Sequence, residues 1–256
     1  MVSVFFVFIA ASLTVYIAPT AAGSGVAEAM GMLNGVLYND YISLKALFVK
    51  LFGLGFAVSG GLCAGKEGPL VHMGSIVGIM TTYMPIKIFS FFRNDFEKRK
   101  LMAAGIAAGV SAAFGAPIGG SLFAYELSKP NTFWSFSLTW KVFFAASIST
   151  FVLSILKQLH HQIVEGHFEP IKLINSGNVK LAAIQDVVYL DALVAAIVIG
   201  IVGGLIGSLF IRVNNRVNLI RKKILGTSNP KKVLEACILV VITVSAFYAS
   251  AYFRDS

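Results

Sequence analysis

The chain is 256 residues long, 57% hydrophobic and only 13% charged, with a mean hydropathy of +0.79. These values fall outside the range of soluble globular domains and describe an integral membrane protein in contact with a lipid bilayer. The net charge of +9 does not point to nucleic acid, because the basic residues crowd into short hydrophilic stretches between apolar ones, the positive-inside pattern.

Residues 1–18 are an apolar run of helix length closed by Pro19. Too poor in positive charge at its start for a secretory signal, the run reads as a truncated first span. A small polar loop, residues 20–25, leads into a short helix predicted over about 25–33, and 34–44 is polar and turn-rich. Apolar sequence resumes over about 45–62, where Gly53, Gly55, Gly60 and Gly61 supply small faces for close helix approach. A second apolar helix is predicted over about 69–84, stopped by Pro85. The stretch 93–100 reads as a charged cytoplasmic loop. Residues 101–127 are apolar but broken at Gly115-Ala116-Pro117, which suggests two shorter helices that enter and return. A span follows over 137–157, then a polar loop over 160–180 on the opposite face. Residues 187–211 cross back, delivering Arg212, Arg216, Arg221, Lys222, Lys223, Lys231 and Lys232 to the cytoplasm, and a last helix covers about 233–253. Both basic clusters share a side only if 101–127 returns. Cys63 and Cys237 lie in apolar surroundings and read as small core residues rather than a disulfide pair.

The informative stretch is Gly60-Gly61-Leu62-Cys63-Ala64-Gly65-Lys66-Glu67-Gly68-Pro69-Leu70-Val71-His72, a Lys-Glu pair between glycines with apolar runs on both sides. Charged side chains at membrane depth are costly and usually face a pathway or a partner. Broken backbone at that depth persists only where it is buried in protein or lines a cavity. Pro69 suits the first turn of a new helix, whose free N–H groups and positive dipole end would point at Glu67 or at an anion replacing it. Up to Lys66 the stretch also matches a phosphate-binding P-loop, but Glu67 stands where Mg²⁺ binding needs Ser or Thr, and its carboxylate would repel phosphates. No strand–helix alternation surrounds it. Nothing in the chain points to an enzyme, a cofactor or a metal site: no Ser-His-Asp or Cys-His arrangement stands out, and His160, His161 and His167 share one polar loop without ligand-spaced partners. Trp134, Phe136 and Trp140 flank a span start as an interfacial aromatic belt.

Gly65-Lys66-Glu67-Gly68-Pro69 with His72, Gly23-Ser24-Gly25-Val26-Ala27-Glu28, and Phe114-Gly115-Ala116-Pro117-Ile118-Gly119-Gly120 together resemble the CLC family of voltage-gated-type chloride channels and chloride/proton exchangers. The resemblance runs over nearly the whole chain and looks nearest to the endosomal and lysosomal branch. It implies an all-α, polytopic CLC-type membrane fold with broken and re-entrant helices, built from two inverted halves. Residues 1–256 then form one partial transmembrane domain: the first half without its first helix, plus the start of the second. The second half's anion-contacting segment, its pore tyrosine and the cytoplasmic CBS domains have no counterpart here.

By the same resemblance, the Ser24 hydroxyl and the backbone N–H groups of Gly25 and Val26 contact chloride, and Ser at position 24 implies chloride preference over nitrate. The physics agrees, since an anion in a low-dielectric setting needs donors and glycines let backbone come close. An N-cap role for Ser24 is compatible with this. Ala27 replaces the family's usual proline. Glu67, beside Gly68, matches the gating glutamate, which occupies the anion path when ionised and swings away when protonated; the alternative is an ion pair with Lys66. Lys66 raises the local positive potential or pairs with another carboxylate, and His72 reads as a satisfied helix-packing residue. Glu126 aligns with a glutamate shared across the family, but Leu127 occupies the internal proton-transfer position of most exchangers, and leucine carries no proton. Passive chloride conduction is therefore the first expectation and chloride/proton antiport the alternative. A third reading is a truncated fragment that transports nothing alone. The resemblance also implies a homodimer in an intracellular membrane, endosomal, lysosomal or vacuolar, rather than the plasma membrane.

Overall fold

The computed structural model describes residues 2–255 apart from 39, 86–90, 130–132, 166–189 and 227, and no strand occurs among the described residues. The chain divides into two compact units, residues 1–175 with 233–256, and residues 176–232.

In the first unit, α1 (Val2–Ser12) continues as one π-helical turn to Ile17, and Pro19 opens a short 3-10 turn. Helix α2 (Val26–Leu33) and helix α3 (Leu44–Ser59) flank the polar stretch between them; Ser43 caps α3 by accepting the Ala46 N–H at 3.1 Å. Helix α4 (Glu67–Met80) runs into a 3-10 turn at Thr81–Tyr83, two residues short of Pro85. It begins at Glu67, not at 69, so Glu67 itself is the first helical residue and Pro69 completes the first turn, where its missing N–H costs nothing.

The expected loop over 93–100 is a correction. Helix α5 (Asp95–Phe114) starts at Asp95, and the charged residues form its first turns. Asn94 accepts the Phe96 N–H, and Asp95 and Glu97 place negative charge at the positive end of the helix dipole. Lys98 and Lys100 pair with Asp95 and Glu97 one turn away, at 3.3 and 2.7 Å. The predicted break is present: Gly115 ends α5 with φ +69°, and α6 (Pro117–Ser128) starts at Pro117. Gly120 lies against Ala107 and Ser111, so α6 doubles back along α5.

Helix α7 (Phe136–Glu165) is capped by Ser135, which accepts the Leu138 N–H at 3.2 Å, and runs eight residues past the expected end at 157. His160 and His161 therefore sit in its last turns and not in a loop, while His167 and the rest of that stretch lie outside the described residues. Trp134 donates to Thr139 Oγ1 at 2.8 Å and meets Tyr125 edge-on at 5.3 Å, forming the aromatic start of α7. Helix α9 (Asn229–Asp255) buries Val233 and Val240.

The core of this unit gathers Leu33 from α2, Val71 from α4, Met102 and Ile106 from α5, Leu127 from α6 and Val142 from α7. Gly74 and Gly78 of α4 face Gly105 and Gly109 of α5 so closely that a Cβ at any of them would run into backbone of the other helix. Small residues four apart let two backbones touch, and membrane helices associate chiefly through such packing. Gly60, just past the end of α3, packs as closely against Val7 and Ser3 of α1, whereas a Cβ on Gly53 would make only ordinary contact, one on Gly55 would meet nothing, and Gly61 is a turn with φ +82°. Cys63 is exposed in the link between α3 and α4 and is not a core residue; Cys237 is half-buried.

The second unit is dominated by α8 (Leu190–Leu225), whose closing stretch carries Arg212 to Lys223 on continuous helix. By length and composition, segments 136–164 of α7, 193–225 of α8 and 229–250 of α9 can each cross a membrane. The protein is thus a multi-pass membrane protein.

Candidate functional site

Two helix starts meet in the first unit. Gly25 precedes α2 with φ +81°, and Glu67 opens α4. A Cβ on Gly68 would sit 2.6 Å from Ser24 Cβ, and one on Gly25 would sit 2.8 Å from His72 Cβ. Glycine at both positions is what lets the Ser24 loop lie directly on the first turns of α4. The junction thus brings the first turns and the positive dipole ends of two helices to one place, a setting that suits an anion.

Ser24 is exposed at this junction. Its Oγ accepts the Val26 N–H at 3.3 Å, but the N-cap of α2 is Gly25, which has no side-chain cap, so Ser24 stands one residue before the expected capping position; its hydroxyl proton finds no acceptor among the described residues. Glu67 is half-buried, its carboxylate folded back over Gly65, and it forms no ion pair among the described residues; Lys66 is exposed.

Behind the loop lies a buried polar chain. Lys50 of α3 is 4% exposed and His72 of α4 is fully buried. Lys50 Nζ donates to the Ser24 carbonyl at 3.3 Å and lies 2.7 Å from His72 Nδ1. His72 Nε2 donates to the Tyr41 carbonyl at 2.9 Å, the Tyr41 hydroxyl donates to the Gly25 carbonyl at 2.8 Å, and the two rings stack at 3.9 Å. Buried charge is tolerated when its donors find partners, and Lys50 finds two, the Ser24 carbonyl and His72 Nδ1, with no salt bridge among the described residues.

Leu127 stands at the other end of α2. Its carbonyl accepts from Asn34 Nδ2 at 3.3 Å, just past the last turn of that eight-residue helix. At 1.5 Å per residue, α2 separates Leu127 from the Ser24 loop by roughly 12 Å. The Leu127 side chain is packed in the core, whereas Glu126 is exposed and pairs with Lys129 at 3.5 Å.

The sequence profile of the voltage gated chloride channel family matches residues 6–255. The chain belongs to this family. Among its relatives, H(+)/Cl(-) exchange transporter 7 of Homo sapiens is 45% identical over 163 residues, 61% of this chain and 20% of that protein. Chloride channel protein C of Dictyostelium discoideum is 33% identical over 260 residues, 98% of this chain and 33% of that protein. A crystal structure of a eukaryotic CLC transporter superposes with a TM-score of 0.70 at 25% identity, covering 95% of this chain and 39% of the other. This chain therefore spans about a fifth to a third of the length of the relatives it matches.

In this chloride-channel-family chain, the fold gathers Ser24, Gly25, Val26, Glu67 and Gly68 at one junction and holds Leu127 apart from them. His72 is the satisfied packing residue expected, but its partners were not foreseen. Lys50 and Tyr41 were missed. Lys50 had a signal, a cation well inside the apolar run 44–59, where Lys45 stands at the start. Tyr41 had none, because only the folded chain brings it to Gly25.

Proposed function

We propose that this chain contributes the Ser24–Glu67 portion of a chloride pathway, and that transport through it is coupled to protons. The convergence of the Ser24 loop and the α4 start carries the first part: two positive helix ends and a serine hydroxyl whose proton has no acceptor among the described residues suit a small anion. Glu67, first residue of α4, competes with that anion when ionised and withdraws when protonated. This is also how one carboxylate can link the two fluxes.

The 45% identity to H(+)/Cl(-) exchange transporter 7 supports exchange over passive conduction, reversing the order expected from Leu127. Passive conduction stays as the second reading because Leu127 is buried and offers no group to carry a proton. Proteoliposomes holding a chloride gradient and no proton gradient separate the two. Exchange predicts proton movement driven uphill by chloride and abolished by Glu67→Gln. Chloride flux with no accompanying proton movement would favour passive conduction. The family resemblance of the motifs implies a homodimer in an intracellular membrane, checked by cross-linking in native membranes and by organelle fractionation.

A further inference from the structure

The backbone at the Ser24 loop is held from behind, and the holding is chemically specific. A trans peptide is planar, with its carbonyl and the following N–H pointing in opposite directions. Lys50 Nζ fixes the Ser24 carbonyl, so the Gly25 N–H is turned to the far side of that plane. The Tyr41 hydroxyl fixes the Gly25 carbonyl in the same way and turns the Val26 N–H toward Ser24 Oγ. Both buried donors pull carbonyls inward, which turns the Gly25 N–H to the opposite side of its peptide and places the Val26 N–H on the Ser24 hydroxyl.

His72 joins these two holds. The Tyr41 carbonyl can only accept, so Nε2 carries a hydrogen and Nδ1 is the position that meets Lys50. With Lys50 as an ammonium, the Lys50–His72 pair carries one positive charge whichever of the two facing nitrogens holds the hydrogen between them. That charge sits one carbonyl away from the loop proposed to contact the anion. Without an acceptor at Nδ1, a buried ammonium bonded to one carbonyl lacks a partner and has reason to leave.

We propose that His72 is a positioning residue for the anion site, accepting from Lys50 at Nδ1 while donating to Tyr41 at Nε2, and so locking the ammonium and the Ser24 peptide in the orientation that presents N–H groups to chloride. This rests on the reading of Ser24 as an anion contact and adds how that contact is kept aimed. Glutamine can replace both functions, since its amide oxygen accepts and its amide nitrogen donates. Leucine can replace neither.

Two measurements on the 256-residue chain in lipid nanodiscs test this. In ¹⁵N-histidine NMR, with His72 assigned by its loss in His72→Gln, His72 is expected as a ring protonated at Nε2, and its Nδ1 signal is expected to move in Lys50→Met. A neutral His72 protonated at Nδ1, or an Nδ1 signal indifferent to Lys50→Met, overturns the proposal. In chloride titration calorimetry, His72→Leu is expected to weaken binding about tenfold and His72→Gln to stay within about threefold of the starting protein. Lys50→Met is expected to be at least as weak as His72→Leu, and the double variant no weaker than Lys50→Met alone, because both changes break one unit. Chloride binding unchanged in His72→Leu, or strictly additive losses, overturns the positioning role while leaving the anion site standing. No chloride binding by the starting protein, with the expected NMR tautomer, overturns the anion-site reading and the role of His72 with it.

Discussion

At the scale of single residues, the account depends on a carboxylate that can give up its place. Glu67→Gln keeps size and hydrogen-bonding shape but cannot ionise, so it imitates the protonated side chain. Chloride flux is expected to persist while chloride-driven proton movement falls to the leak level, read by a pH dye outside proteoliposomes. Leu127→Glu tests the converse. If proton supply from the α6 end limits coupling, adding a carboxyl there raises the ratio of protons to chloride moved; an unchanged ratio means that protons take another route. Gly25→Ala probes the junction itself, because the residue has φ +81° and its Cβ would collide with His72. A loss of about 1–3 kcal/mol is expected from thermal unfolding in detergent. The candidate residues were legible from motif and chemistry: glycines beside Ser24 and Glu67 announced close backbone approach, and the structure has that approach. The support behind them was only half legible, since Lys50 is conspicuous in an apolar run while Tyr41 reaches Gly25 through tertiary contact alone.

At the scale of elements, glycine spacing decides which helices touch. Gly105→Val would drive a side chain into the Gly74 carbonyl region of α4, and about 3 kcal/mol of stability or more is expected to be lost, or the fold with it. Gly55→Ala meets open space and is expected to be neutral or to stabilise by roughly 0.5–1 kcal/mol, which makes it the matched control in the same unfolding assay. The apolar runs and the break at Gly115-Ala116-Pro117 were readable because membrane helices declare themselves by length and their interruptions by Gly and Pro. The start of α5 departs from the loop expected over 93–100 for a physical reason, since a charge-rich stretch reads as solvated loop when its capping is not weighed. Asn94 followed by Asp95 and Glu97 is also the pattern of a capped helix start, and the capping outweighed the charge. Likewise α7 outran its apolar segment, because a helix already formed continues into polar residues such as Gln158 and His160 at little cost.

At the scale of the whole molecule, the helices of the first unit differ in kind. Segment 136–164 is long enough to cross a bilayer, while α2, α4 and α6 are short and start at broken backbone. Short helices begun inside a membrane need their first N–H groups satisfied by protein or by ligand. The Ser24–Glu67 junction brings two such helix starts together, which is why transport is proposed there. The most direct test is chloride efflux from liposomes carrying the 256-residue chain, compared with Glu67→Ala. Chloride efflux above that of protein-free liposomes is expected, with its rate and its pH dependence altered by the substitution. Efflux indifferent to Glu67→Ala, or none from well-inserted protein, would contradict it.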